Sequence, residues 1–127
     1  DCSKKSLSRL TRTTLARACA EAKGQKRGLR ARQAAEKVWL AASTAADAMV
    51  GPVSNASQVF RAFERAWGAP GRDVAVQIET SLHRGCFYSD APGCDGAYVE
   101  KQAAALGRLF ASSVRDRAIR RRLGLPS

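Results

Sequence analysis

Residues 32–49, RQAAEKVWLAASTAADAM, run for eighteen positions without Pro or Gly and consist almost entirely of helix formers. Ala31, Ala34/Ala35, Val38, Ala41/Ala42, Ala45 and Ala48/Met49 recur at steps of three and four, the period of one helical face. Most of these are Ala. A face so small lets other helices approach closely, so the stretch reads as the central helix of a bundle, with Val38, Trp39 or Leu40, and Met49 supplying bulk. Such a stripe cannot bury itself, and the flanking segments are expected to cover it.

Those segments also read as helices. Ser3 or Ser6 caps a first one through LSRLTRTTLARACAEAK, with Leu7, Leu10, Thr14, Ala18 and Ala22 on its inner side. Gly24 to Gly28 turns the chain and presents Lys26 and Arg27. Gly51-Pro52 stops the central helix, and Asn55 or Ser57 caps SQVFRAFERAW, whose Val59, Phe60, Phe63 and Trp67 form the bulkiest apolar cluster. Gly68 to Gly71 is predicted as a turn, with Asp73 opening a fourth helix that carries Val74, Ile78 and Leu82 and frays near Gly85. CFYSDAPGCDG reads as a loop. From Ala97 or Tyr98 a last helix is predicted to about Leu123, with residues 115–127 either a basic C-terminal extension outrunning the bundle or a helix end with favourable charge. The expected architecture is a single all-α domain over residues 1–127, an antiparallel bundle of four to five helices. No strict apolar/polar alternation suggests a strand, and no stretch approaches the roughly 18 apolar residues of a membrane span.

The chain carries a formal net charge of +11, and its placement is uneven. Residues 4–32 hold ten basic groups against Glu21, residues 98–127 hold seven against Glu100 and Asp116, and residues 33–97 hold five against seven. If the first and last helices lie side by side, the two basic runs merge into one field that attracts polyanions. The candidate contacts are Arg9, Arg12, Arg17, Lys23, Lys26, Arg27 and Arg30 from one run and Arg115, Arg117, Arg120, Arg121 and Arg122 from the other. A solvated surface on an Arg-rich protein is the competing explanation. These runs contain no aromatic residues for stacking on bases, and the helix after GAPG offers few side chains to read base edges, so contact with the phosphates of DNA or RNA is expected instead.

Four cysteines allow three pairings. Cys86 and Cys94 bracket turn-forming sequence and can close a short loop, and Cys2 can reach Cys19 if the chain end folds back. Paired cysteines would favour export or a hyperthermophile interior; otherwise a cytoplasmic location is favoured, although the lack of a signal-like segment in residues 1–127 does not itself place the protein inside a cell. Four free thiols are the alternative. His83, the chain's one histidine, has Glu79 four residues earlier, on the same face of an α-helix, with Arg84 and Tyr88 nearby. These types suit proton transfer beside a phosphate, which makes His83 and Glu79 weak catalytic candidates next to a structural reading. His83 with Cys86 and Cys94 makes only a sparse zinc set. Neither GPVSNAS nor GAPGRD has the spacing of a phosphate-binding loop. No metal and no cofactor is expected.

Residues 31–49 with their A-x-E-K-x-W core (Ala34/Ala35, Glu36, Lys37, Trp39) and the segment Ser81, Leu82, His83, Phe87, Tyr88 resemble the archaeal PaREP1 family and the wider HEPN-like helical domains. The likeness covers roughly residues 10–112, with one extra residue between His83 and the Phe-Tyr pair. It implies a compact helical bundle, often dimeric, in some members a metal-independent RNase of a toxin system with an R-x4-6-H motif. That motif would need Arg at 76, 77 or 78, where Val76, Gln77 and Ile78 stand. The expected function is therefore non-catalytic, largely sequence-independent nucleic-acid binding. The alternatives are an oligomerising interaction protein with an acidic partner, its small-residue face pairing two copies, and an HEPN-like RNase.

Overall fold

The computed structural model describes residues 9–126; Cys2 and the expected caps Ser3 and Ser6 lie outside them, as do the side chains of Arg9 and Arg12. The fold is all-α. Its helices are α1 (Arg9–Ala22), α2 (Leu29–Val50), α3 (Ala56–Trp67), α4 (Ala69–Ile78), α5 (Gly96–Phe110) and α6 (Arg117–Arg122), and a π-helix over Glu79–Tyr88 continues α4. No strand occurs among the described residues.

Helix α2 is central, as its alanine pattern requires: Ala31, Ala34, Ala35, Val38, Ala41, Ala42, Ala45, Ala46 and Met49 are buried, and every other helical element packs against it. Trp39 is half-buried, whereas Leu40 is 53% exposed and contributes nothing to the core. The bulk comes from the neighbours. Phe63, Trp67 and Phe110 form an aromatic cluster with ring centroids 5.2 to 6.4 Å apart, and Ile78, Leu82 and Leu106 complete the same core. Each such side chain contributes on the order of 2 kcal/mol on burial. Asn55 caps α3 by accepting from the Gln58 amide at 2.9 Å.

Three boundaries differ from the sequence expectation. The GAPG segment is no turn between helices: α4 already starts at Ala69, because a proline in the first turn forfeits only an amide that has no partner there. Asp73 consequently sits inside the helix and caps nothing. The expected loop after Gly85 begins later, since the π-helix carries the chain to Tyr88; Ser89 N donates to Arg84 O at 2.9 Å, five residues back. The last helix does not run unbroken to Leu123. It ends at Phe110, Arg115 N donates to Ala66 O at 2.8 Å, and Asp116 restarts the chain as α6 by accepting from the Ile119 amide at 2.9 Å. That break turns Ile119 inward to 1% exposure, with Leu123 and Leu125 packed against the core. The C-terminal segment therefore folds back onto α2 and does not outrun the bundle. Among the described residues the count is six α-helices, above the four or five expected.

Cys86 and Cys94 form a disulfide that ties the end of the π-helix to the approach of α5. Cys19 is disulfide-bonded as well, and its expected partner, Cys2, lies outside the described residues. Beside the first bridge, Gly96 N donates to Gln25 O at 2.8 Å, and a Cβ on Gly96 would be driven into the carbonyl oxygen of Ala22. Only glycine permits this contact between the start of α5 and the α1–α2 turn.

Gly96→Ala is therefore expected to cost at least about 2 kcal/mol in urea unfolding, whereas Gly93→Ala, with open space around it, stays near neutral. Replacing Cys86 and Cys94 by Ala removes a loop constraint of eight residues' separation, for an expected loss of about 2.5 kcal/mol in the same assay.

Candidate functional site

Among the described residues, the two basic runs do not merge. Arg17, Lys23, Lys26, Arg27 and Arg30 are exposed around the α1–α2 turn, at the N-terminal end of α2. Arg122 lies at the opposite end: a Cβ on Gly51, just past α2, would stand 3.4 Å from its Nη2. Twenty-two residues of helix, about 33 Å, separate these ends. The expectation of a single field fails because α6 docks beside the C-terminus of α2 while the α1–α2 turn is necessarily at its N-terminus. Arg27 is moreover engaged by Asp90, at 3.4 Å from Oδ2 and 2.8 Å from the backbone oxygen. Nearby Arg32 donates to the Phe87 carbonyl at 2.7 Å and so closes the C-terminal end of the π-helix.

At the C-terminal end of α2 the arginines gather from three segments. Arg61 and Arg65 stand one turn apart on α3 and flank a hollow of about 310 Å3 formed with Val50, Pro52 and Val53. Arg65 reaches Asp116 at 3.1 Å, which fastens α3 to α6. Arg115 lies across Gly68, where φ is +78° and a Cβ would come within 2.5 Å of its Nη1. Its guanidinium thus occupies the C-terminal end of α3, where helix carbonyls favour a cation. Arg120 donates to the carbonyls of Val114, at 2.9 Å, and Pro126. Arg117, Arg121 and Arg122 are exposed. Arg61 and Arg65 escaped the sequence reading because they are scattered in a segment of balanced charge; only the docking of α6 makes them neighbours of the C-terminal run.

The His83 region is a separate cluster. Its partner is Glu36 of α2, with Nδ1 2.7 Å from Oε1, and Glu79 instead accepts from Arg84 Nε at 2.8 Å. The pairing expected from a four-residue spacing fails for a geometric reason: in a π-helix residues five apart face each other, so Arg84 stands over Glu79. Trp39 packs against the His83 ring at 5.4 Å and Tyr88 meets it edge-on at 5.0 Å. A carboxylate can only accept, so the neutral imidazole carries its proton on Nδ1 and leaves Nε2 with a free lone pair. That arrangement can act as a proton acceptor. The cavity that His83 lines has no arginine among its lining residues, so no phosphate-binding group of the arginine end shares it. A zinc set with Cys86 and Cys94 is ruled out by their disulfide.

One carboxylate of the arginine end titrates abnormally. The Ile119 amide first, and the Arg65 guanidinium after it, hold Asp116 below its ordinary 3.8, against opposing desolvation. A depressed folded-state value means that its contribution to stability is complete above 3.8 and is lost as the pH falls through the folded value. Acidification below 3.8 is therefore expected to increase hydrogen exchange at the Ile119 amide before the α2 core opens, and Asp116→Ala should do so already at neutral pH. Compared with known proteins, the chain matches no family model, no curated protein and no solved structure.

Proposed function

We propose that this chain is a non-catalytic nucleic-acid-binding protein that grips phosphates, with little regard to sequence, through the arginine end built by α3, the 111–116 connection and α6. The observation that carries this reading is the set of exposed arginines Arg61, Arg117 and Arg121. None of them forms an ion pair with a carboxylate among the described residues. Guanidinium forks suit phosphate oxygens, and charge left uncompensated on one rigid face favours a polyanion. Residues 115–122 contain no aromatic side chain to stack on bases, so the backbone of DNA or RNA is the target, with bases unread. An acidic protein could present the same charge, and an exposed Leu29, Leu40 and Tyr88 offer apolar contacts elsewhere for a partner or a second copy. The likeness to PaREP1 and HEPN-like bundles is compatible with an RNA ligand, while the lack of Arg at positions 76 to 78 weighs against cleavage.

Filter binding of unrelated RNA and DNA duplexes at several salt concentrations tests this. Replacing Arg61, Arg117 and Arg121 by Glu should weaken all duplexes by similar factors and lower the salt slope by about 0.9 for each phosphate contact removed. Replacing Lys23, Lys26 and Arg30 at the other pole should change both far less. Equal affinity and slope for the first variant would remove the arginine end from the site; failure of heparin to compete, with stable capture of an acidic protein, would favour the interaction reading.

A further inference from the structure

Between the middle of α2, the start of α3 and the π-helix lies a cavity of about 300 Å3, lined by Trp39, Ser43, Ser54, Asn55, Glu79 and His83 among others. This is room for one small organic molecule, at the lower end of ligand-pocket sizes. Its polar groups are strongly one-sided. The Ser43 hydroxyl donates to Trp39 O at 3.1 Å and the Ser54 hydroxyl to Gln58 Oε1 at 3.1 Å, so each has spent its proton and keeps acceptor lone pairs. His83 commits Nδ1 to Glu36, which leaves Nε2 of the neutral ring as an acceptor. Glu79 is 8% exposed; Arg84 occupies its Oε2, and no donor reaches Oε1 among the described residues. The side-chain donors left over are the Asn55 amide, whose oxygen accepts from the Gln58 backbone, and the Trp39 indole N–H.

We infer that this cavity binds a small organic cation with several N–H donors, of the alkylguanidinium or alkylammonium class. Glu79 Oε1 receives the charge, Ser43, Ser54 and His83 Nε2 accept the remaining hydrogens, and Trp39 walls the alkyl part. The local charge agrees. Glu36 meets only the His83 ring, Glu79 only Arg84 through Oε2, and Asp47, which accepts from Val53 N at 2.8 Å beside the cavity, has no cationic partner among the described residues. The hollow between Arg61 and Arg65 meets this cavity only at Val53, and no arginine is among the residues that line the cavity. The inference is independent of phosphate binding, since it concerns a different face and the opposite ligand charge.

The test is an NMR titration of the full chain with ethylguanidinium, its neutral isostere ethylurea, and propionate, following the Trp39 indole and the Ser54 and Asn55 amides. Ethylguanidinium is expected to give saturable shifts with a Kd on the order of 1 mM, ethylurea to bind at least about tenfold more weakly, and propionate to leave the signals in place. Glu79→Gln should weaken ethylguanidinium by at least about tenfold, and Ser43→Leu, which fills the cavity without touching its charge, should abolish the shifts. If Glu79→Gln unfolds the chain, the isostere comparison and Ser43→Leu decide. Equal response to ethylurea, preference for propionate, or no saturable shift with ethylguanidinium overturns the assignment.

Discussion

The structure depends on close packing against the alanine face of α2. Alanine side chains lose no rotamer freedom on burial and keep the helix surface shallow, so large side chains from several directions can reach the same axis. Phe63 and Trp67 from α3, Phe110 from α5, and Ile78 and Leu82 from α4 and its π continuation all belong to the core that this face organises. Enlarging any of those alanines would push a neighbouring helix outward, because an interior at native density has no slack. Glycine serves the same end at Gly71, where a Cβ would stand 2.5 Å from the Phe63 carbonyl, and at Gly96 against the α1–α2 turn.

A second constraint is that the arginines serve two purposes. Some complete the fold: Arg32 closes the π-helix, Arg120 holds the carbonyls around the end of α6, and Arg115 and Arg122 lie over the glycines that end α3 and α2. Helix C-termini carry partial negative charge, so these positions accept guanidinium groups readily. The donors that remain outward at Arg61, Arg117 and Arg121 are the ones available for a polyanion. Net charge alone therefore overstates the binding surface, and the fraction of it that is free is set by where the helices end.

The π-helix separates the chemistry of the molecule into two regions. By shifting the facing residue from four to five positions away, it gives Glu79 to Arg84 and frees His83 to meet Glu36 across the helix interface. The acceptor-rich cavity beside α2 takes Glu79 and His83 from this segment as part of its wall. Glu79 thus lines a cavity with no arginine among its lining residues, while arginines gather at the C-terminal end of α2.

The sequence by itself determined the helical class, the buried face of α2 and the apolar set of α3, because each is written in local period; it offered Asn55 beside Ser57 as the α3 cap and Cys86–Cys94 as one of several cysteine arrangements, and the structure chose between them. Glu36 as the partner of His83 could not be read, since the two residues are 47 apart and neither has a local signature for the other. Nor does composition distinguish a π register from an α register, so Glu79 and His83 looked like neighbours. The break at 111–116 and the return of Ile119 to the core follow from a backbone bond to Ala66, a contact that period cannot announce. Tertiary structure alone decided that the basic runs lie at opposite ends of α2: charge belongs to residues, but a field belongs to their arrangement in space, and that is fixed by how the helices pack.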